Sequence, residues 1–102
     1  MNNPTRTYYD NGQLLAESYY VGNNLHRTDR PAFTLWHDNG QLMFEEYWVN
    51  GEIHREDGPA AIWWDENGNI TTQEFFLNND EVTAYDVLGD TPEAFAWVLA
   101  NE

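Results

Sequence analysis

Cysteine and lysine are both missing from this chain of 102 residues, and its four basic side chains are Arg6, Arg27, Arg30 and Arg55. Without thiols there is no disulfide framework and no thiolate metal centre or nucleophile. A reducing cytoplasm is compatible with that, and a cytoplasmic protein is expected. With so few cations there is no basic stripe to track a phosphate backbone, so direct binding to nucleic acid is not expected. Serine occurs once, at Ser18, with no nucleophile-elbow motif around it. A glycine-rich phosphate loop is also lacking. The opening residues, "MNNPTRTYYDNG", contain no apolar run. Neither a leader peptide nor a membrane span is therefore expected.

What is present is acid. Eighteen Asp and Glu give a formal net charge of -14. Such a surface repels phosphates and anionic lipids and attracts basic proteins. The chain is nonetheless 41% hydrophobic and 16% aromatic, so it is not a disordered acidic tail. Its length suits one small domain, residues 1–102, with a modest core.

The stretch "HREDGPAAIWWDENG" from His54 to Gly68 carries a histidine, an arginine, four acids before the final Asn-Gly, and two tryptophans. It has a counterpart in "HRTDRPAFTLWHDNG", His26 to Gly40, offset by 28 positions. The same offset relates Asn11-Gly12, Asn39-Gly40 and Asn67-Gly68, and also Tyr19-Tyr20, Tyr47-Trp48 and Phe75-Phe76. Self-similarity at a fixed period of this size denotes a repeat architecture. The units span about 4–31, 32–59 and 60–88.

Each unit opens with a short β-branched and aromatic segment: Thr5–Tyr9, Ala32–Trp36 and Ala60–Trp64. An Asn-Gly pair follows, predicting a tight hairpin turn of type I′ in which both residues take positive φ. A longer strand comes next, at Gln13–Val21, Gln41–Val49 and Asn69–Leu77, and then a second turn at Gly22-Asn23, Asn50-Gly51 and Asn78-Asn79. The fold class is thus mainly β: an antiparallel meander of about six or seven strands, three β-hairpin repeats forming a curved sheet. The third unit loses its His-Arg-Asp connector. Glu81–Val87 reads as the last strand, and Gly89 breaks it. A short C-terminal α-helix over about 91–101 is predicted as the cap of the array, with Asp90 or Thr91 as N-cap and Pro92 in the first turn. Phe95, Val98 and Leu99 form its apolar stripe, with Trp97 to one side.

The run "NGQLMFEEYWVNGEIHREDGPAAIWWDENG" resembles the MORN-repeat variant. The resemblance covers about residues 8–80. It implies a β-hairpin array and an interaction module, with no catalytic site to carry over. Repeats of this kind occur in bacterial proteins classed as antitoxin components and in phage proteins. The chain departs from the pattern at Arg30, which stands where the connector has glycine, and in the missing third connector.

Several residue groups carry possible chemistry. His26, Asp29, His54 and Asp57 are types that ligate transition metals. They fall in separate corners, where hydrogen bonding to irregular backbone is the expected role, and no metal or other cofactor is expected. Arg27 with Asp29, and Arg55 with Asp57, are candidate local ion pairs. Asp10-Asn11-Gly12 and Asp38-Asn39-Gly40 look like pieces of calcium loops but lack the further oxygens such loops need. Glu17, Glu45, Glu46 and Glu74 recur because the strand recurs, and neighbours on a strand point to opposite faces. Paired-carboxylate catalysis is therefore not expected, and the chain is read as a non-enzyme. Aromatic side chains supply either core or the anchors of a protein interface.

The residues that point to partner binding are Glu17, Glu45, Glu46, Glu74, Tyr47, Trp48, Trp63 and Trp64. Acids steer and orient, and aromatics supply buried contact. The sequence is thus read as an acidic protein-binding module that inhibits or masks a basic, nucleic-acid-binding protein, in the manner of a phage anti-defence or anti-CRISPR inhibitor or DNA mimic. No membrane partner is expected. The alternatives are an antitoxin or immunity module and a self-associating protein, such as a homodimer using open sheet edges.

Overall fold

In the computed structural model, residues 4–100 are described. Eleven strands precede two helices: β1 Thr5–Tyr8, β2 Leu14–Ser18, β3 Tyr20–Val21, β4 Asn24–Leu25, β5 Phe33–Trp36, β6 Leu42–Glu46, β7 Trp48–Val49, β8 Glu52–Ile53, β9 Ala61–Trp64, β10 Ile70–Leu77, β11 Asp80–Val82, α1 Ala84–Leu88 and α2 Pro92–Ala100. The main sheet has seven strands in the order β1-β2-β5-β6-β9-β10-β11, with every neighbouring pair antiparallel. The predicted meander is present, built from three repeats.

Two of the long strands do not run through. β2 stops at Ser18 and β6 at Glu46, and the chain leaves the main sheet for the two-stranded hairpins β3-β4 and β7-β8. Tyr19 and Tyr47 are the pivots. The Tyr19 N–H still donates to Ala32 O across the main sheet, while its carbonyl accepts from His26 N, beyond the small hairpin. Tyr47 repeats this with Ala60 and His54. In the third unit no break occurs, and β10 continues to Leu77 to pair with β11.

The first turn of each unit differs from the prediction. Among the described residues Asn11, Asn39 and Asn67 do not take positive φ, whereas Gly12, Gly40 and Gly68 lie at φ 88, 88 and 87. Gly12 N donates to Tyr9 O, and Tyr9 N to Gln13 O. This is the three-residue loop in which a tight turn is followed by a left-handed glycine. The asparagine is used for its side chain: Asn11 Oδ1 accepts from Gln13 N and Asn39 Oδ1 from Gln41 N, both at 2.9 Å. Positive φ at both central residues is found in the second turns instead, at Asn50-Gly51 and Asn78-Asn79.

The C-terminal reading needs two corrections. The strand expected over Glu81–Val87 ends at Val82, and helix α1 begins at Ala84. Thr83 caps it: its side chain accepts from Asp86 N while the Asp86 carboxylate accepts from Thr83 N. That reciprocal box outweighs the β-branched residues around it. α2 spans Pro92–Ala100, with Thr91 Oγ1 accepting from Ala94 N at 3.2 Å; residue 101 lies outside the described residues. Its inward side is not the predicted stripe. Ala94 is fully buried and Trp97 packs on Phe75, while Phe95 and Leu99 are exposed.

The molecule is thin, 44 × 34 × 17 Å. Its core is Phe44, Ile53, Ala60 and Ala61, with Phe33, Leu35, Met43, Trp48 and Phe76 packed against them. No helix among the described residues is long and apolar enough to cross a membrane.

Candidate functional site

Strand register assigns the side chains to two faces, because residues paired across neighbouring strands point the same way. One row crosses the sheet as Arg6, Glu17, Thr34, Glu45, Ile62 and Gln73. Another crosses the opposite face as Ser18, Phe33, Glu46, Ala61 and Glu74. Glu45 and Glu46 therefore do point apart.

On the first face the acids are engaged within the chain. Arg6 Nε donates to Glu17 Oε2 at 2.7 Å. Glu45 is half-buried; burial raises its pKa above the usual carboxylate value, and the charge of Arg55 partly offsets this. The Arg55 guanidinium lies 4.0 Å from the centre of the Tyr47 ring, as Arg27 lies 3.8 Å from that of Tyr19. These are cation–π contacts repeated at the unit spacing. In the third unit Phe75 stands where the tyrosines stand, and the cover is Trp97 of α2, edge-on at 4.6 Å. Trp97 Nε1 also donates to Gln73 Oε1 at 2.8 Å. Gln73 is the counterpart of Glu17 and Glu45, so α2 supplies what the missing connector does not.

The opposite face brings acid and aromatic together. Glu46 and Glu74 each sit in register with Ala61, one on either side of it. Trp48 Nε1 donates to Glu46 Oε1 at 3.1 Å. Burial raises the Glu46 pKa, the Trp48 hydrogen bond lowers it, and the neighbouring Glu74 charge raises it again. Neither glutamate has an ion-pair partner among the described residues. In the next row Trp63 stacks on Phe44 at 3.9 Å, and Phe44 meets Phe33 edge-on at 6.1 Å. Phe44 is buried, while Trp63 is 37% exposed. Of the eight residues expected to bind a partner, Glu46, Glu74, Trp48 and Trp63 are thus gathered together. Glu17, Glu45 and Tyr47 lie across the sheet from them. Trp64 closes β9, where its carbonyl accepts from His37 Nε2 at 3.1 Å.

The corners stitch one unit to the next. His26 Nδ1 accepts from Asn50 N at 2.9 Å, and His54 Nδ1 from Asn78 N at 3.0 Å. Gly51 N donates to Leu25 O and Asn79 N to Ile53 O. At the other end of the strands Tyr9 Oη donates to Trp36 O at 2.6 Å, the place His37 takes toward Trp64 O. Asn11 and Asn39 each donate through Nδ2 to the next unit's turn, at Asp38 O and Glu66 O. The histidines so occupied hold backbone, and no group of three His, Cys, Asp or Glu among the described residues could hold a metal ion. A backbone role for His26 and His54 was expected, but the ladder at the other end of the strands was not foreseen from the sequence. Its signal is the periodic placing of Tyr9 and His37.

The family profile described as the MORN repeat variant matches residues 1–21, 32–50 and 60–78, more than half of the chain. The chain belongs to this family. The three matches coincide with the short strand, turn and long strand of each MORN-type unit, and the connectors lie between them. No curated protein and no solved structure matches the chain.

Of the two candidate ion pairs at the connectors, one is formed: Arg55 Nε donates to Asp57 Oδ1 at 2.9 Å. Arg27 and Asp29 form none, and Asp29 adopts φ 64. Gly58 marks a difference between the corners. A Cβ added there would stand 3.0 Å from Arg55 Cζ. Arg30 occupies the equivalent place in the first corner, so a guanidinium placed as that of Arg55 would have to shift there by a few tenths of an ångström.

Proposed function

We propose that this MORN-type array is a non-enzymatic binding module for a basic protein surface, with Glu46, Glu74 and Trp63 at the centre of the contact. The observation that carries this reading is the uncompensated glutamate pair. Two carboxylates flank Ala61, one of them half-buried, and neither has an ion-pair partner among the described residues. Holding like charges together on a partly desolvated surface is costly. A partner's lysine or arginine relieves that cost. Trp63 beside it offers a flat, rigid aromatic surface that an arginine or an apolar side chain can cover. The net charge of -14 steers basic proteins toward this face.

The finer form of the proposal is masking: the acids stand in for phosphates, and the partner is a nucleic-acid-binding effector, such as a defence nuclease or CRISPR complex, whose basic surface is occluded. The test is affinity capture with mass spectrometry, run in parallel with wild type and Glu46→Gln/Glu74→Gln. A basic nucleic-acid-binding protein retained by the wild type and lost by the variant supports the reading. Equal retention on both, or retention of acidic proteins only, refutes it.

A further inference from the structure

A groove of about 450 Å³ lies between the first and second connectors; its lining includes His26, Arg27 and Asp29 of the first and Arg55, Glu56 and Asp57 of the second. The two corners share a backbone plan but not their charge pairing. In the second, both donors are filled: His54 Nε2 meets Glu56 Oε2 at 2.9 Å, and Arg55 Nε meets Asp57 Oδ1 at 2.9 Å. In the first, Thr28 replaces Glu56, and Asp29, at φ 64 and also lining the groove, forms no ion pair. His26 and Arg27 line the groove without forming an ion pair among the described residues. Arg27 keeps only a 3.4 Å bond to Pro31 O and its place over Tyr19. His26 Nδ1 accepts a backbone N–H, so the neutral ring carries its proton on Nε2 and presents a donor.

We infer that the first corner is a binding site for a carboxylate group, held by the Arg27 guanidinium and the His26 Nε2–H. The second corner is the template, since its own Glu56 and Asp57 show how a carboxylate engages each donor. Arginine offers further N–H groups in fixed geometry beyond the one it gives to Pro31, which suits a planar carboxylate. The site stands on residues apart from Glu46 and Glu74 and takes a ligand of the opposite charge, so it is independent of the contact with a basic partner.

The experiment follows the side-chain nitrogen and ring-proton signals of His26, His54, Arg27 and Arg55 by NMR. Titrants are sodium acetate, a peptide with a free C-terminal carboxylate, and an amidated peptide with one internal glutamate; sodium chloride at matched ionic strength is the control. Saturable shifts at His26 and Arg27, with His54 and Arg55 unmoved, are expected from acetate. The better of the two peptides tells whether the carboxylate comes from a chain terminus or a side chain. Thr28→Glu, which rebuilds the second corner's pairing in the first, is expected to abolish the response while leaving the fold's spectrum intact. Identical shifts from chloride, equal responses at both corners, or a response surviving Thr28→Glu each overturn the assignment.

Discussion

The imidazole of His54 accepts the backbone N–H of Asn78 at 3.0 Å, and 28 positions earlier His26 accepts that of Asn50 at 2.9 Å. A connector histidine of one unit thereby fixes the tight turn of the next. That turn needs positive φ at Asn78 and Asn79, and the bond holds the first of them by its amide. His54→Ala is expected to lower stability by about 1 kcal/mol, the worth of one hydrogen bond at a site water can reach. Thermal denaturation measures it. An unchanged Tm, or stoichiometric metal in the wild type that the variant lacks, would contradict the structural role.

Gly40 lies at φ 88, where a β-branched side chain is strained. Gly40→Val is expected to cost about 1 kcal/mol or more. Asn39→Gly separates this loop from a type I′ turn. In that turn the substitution would be nearly harmless. Here it removes the side chain that holds Gln41 N and Glu66 O, and a fall of about 1 kcal/mol is expected. Denaturant midpoints of the two variants against wild type decide the matter.

Much of this architecture was legible because each unit repeats its own evidence. Three Asn-Gly pairs and three aromatic segments, all in the same phase, placed the short strands and the starts of the long ones to within a residue. What escaped was anything set by contact between units. Tyr19 and Tyr47 suit a strand, and only the small hairpins beyond them show why the strand must break there. The segment "EVTAYDV" is rich in β-branched residues, yet Thr83 and Asp86, three apart, held the capping signal for α1. Trp97 covering Phe75 as Arg55 covers Tyr47 could not be read from the chain, because helix α2 has no counterpart in the repeat. The candidate site was half legible. Alternation separated Glu45 from Glu46, but only the register brought Glu74 to the side of Glu46.

Trp97 is the tie between the cap and the array. It closes over Phe75, which is 2% exposed, and bonds Gln73. Trp97→Ala opens a cavity there and is expected to cost about 3 kcal/mol. Chemical denaturation followed by far-ultraviolet circular dichroism reads both the stability and the loss of helical signal. A cost below 1 kcal/mol would mean the cap does not support the sheet.

Glu45 and Glu46 both have raised pKa values, with burial as the leading cause. The folded state therefore takes up protons before the unfolded chain does as pH falls. Stability contributed by these groups rises as pH drops from above their raised values to the ordinary carboxylate value of 4.5, and it is lost again as pH rises. Glu46→Gln is expected to be more stable than wild type at pH 7, with the advantage shrinking toward pH 4.5. Urea midpoints across that window test it. A variant less stable at neutral pH, or a gap independent of pH, would show that the charge of Glu46 is not the burden described.

The same charge should govern binding. If the pair at Glu46 and Glu74 meets a basic surface, affinity for the captured partner falls as salt rises, because the Debye length shortens from about 10 Å at 0.1 M to about 3 Å at 1 M. Neutralising single glutamates then discriminates between the faces. Glu46→Gln is expected to weaken binding, mostly through the association rate, while Glu45→Gln leaves it nearly unchanged, since Glu45 lies beside Arg55 on the far face. Surface plasmon resonance at several salt concentrations separates the two. Equal behaviour of the two variants, with an affinity indifferent to salt, would strip the acids of any role in recognition. Trp63 would then remain as the contact, and Trp63→Ala would be the variant that abolishes it.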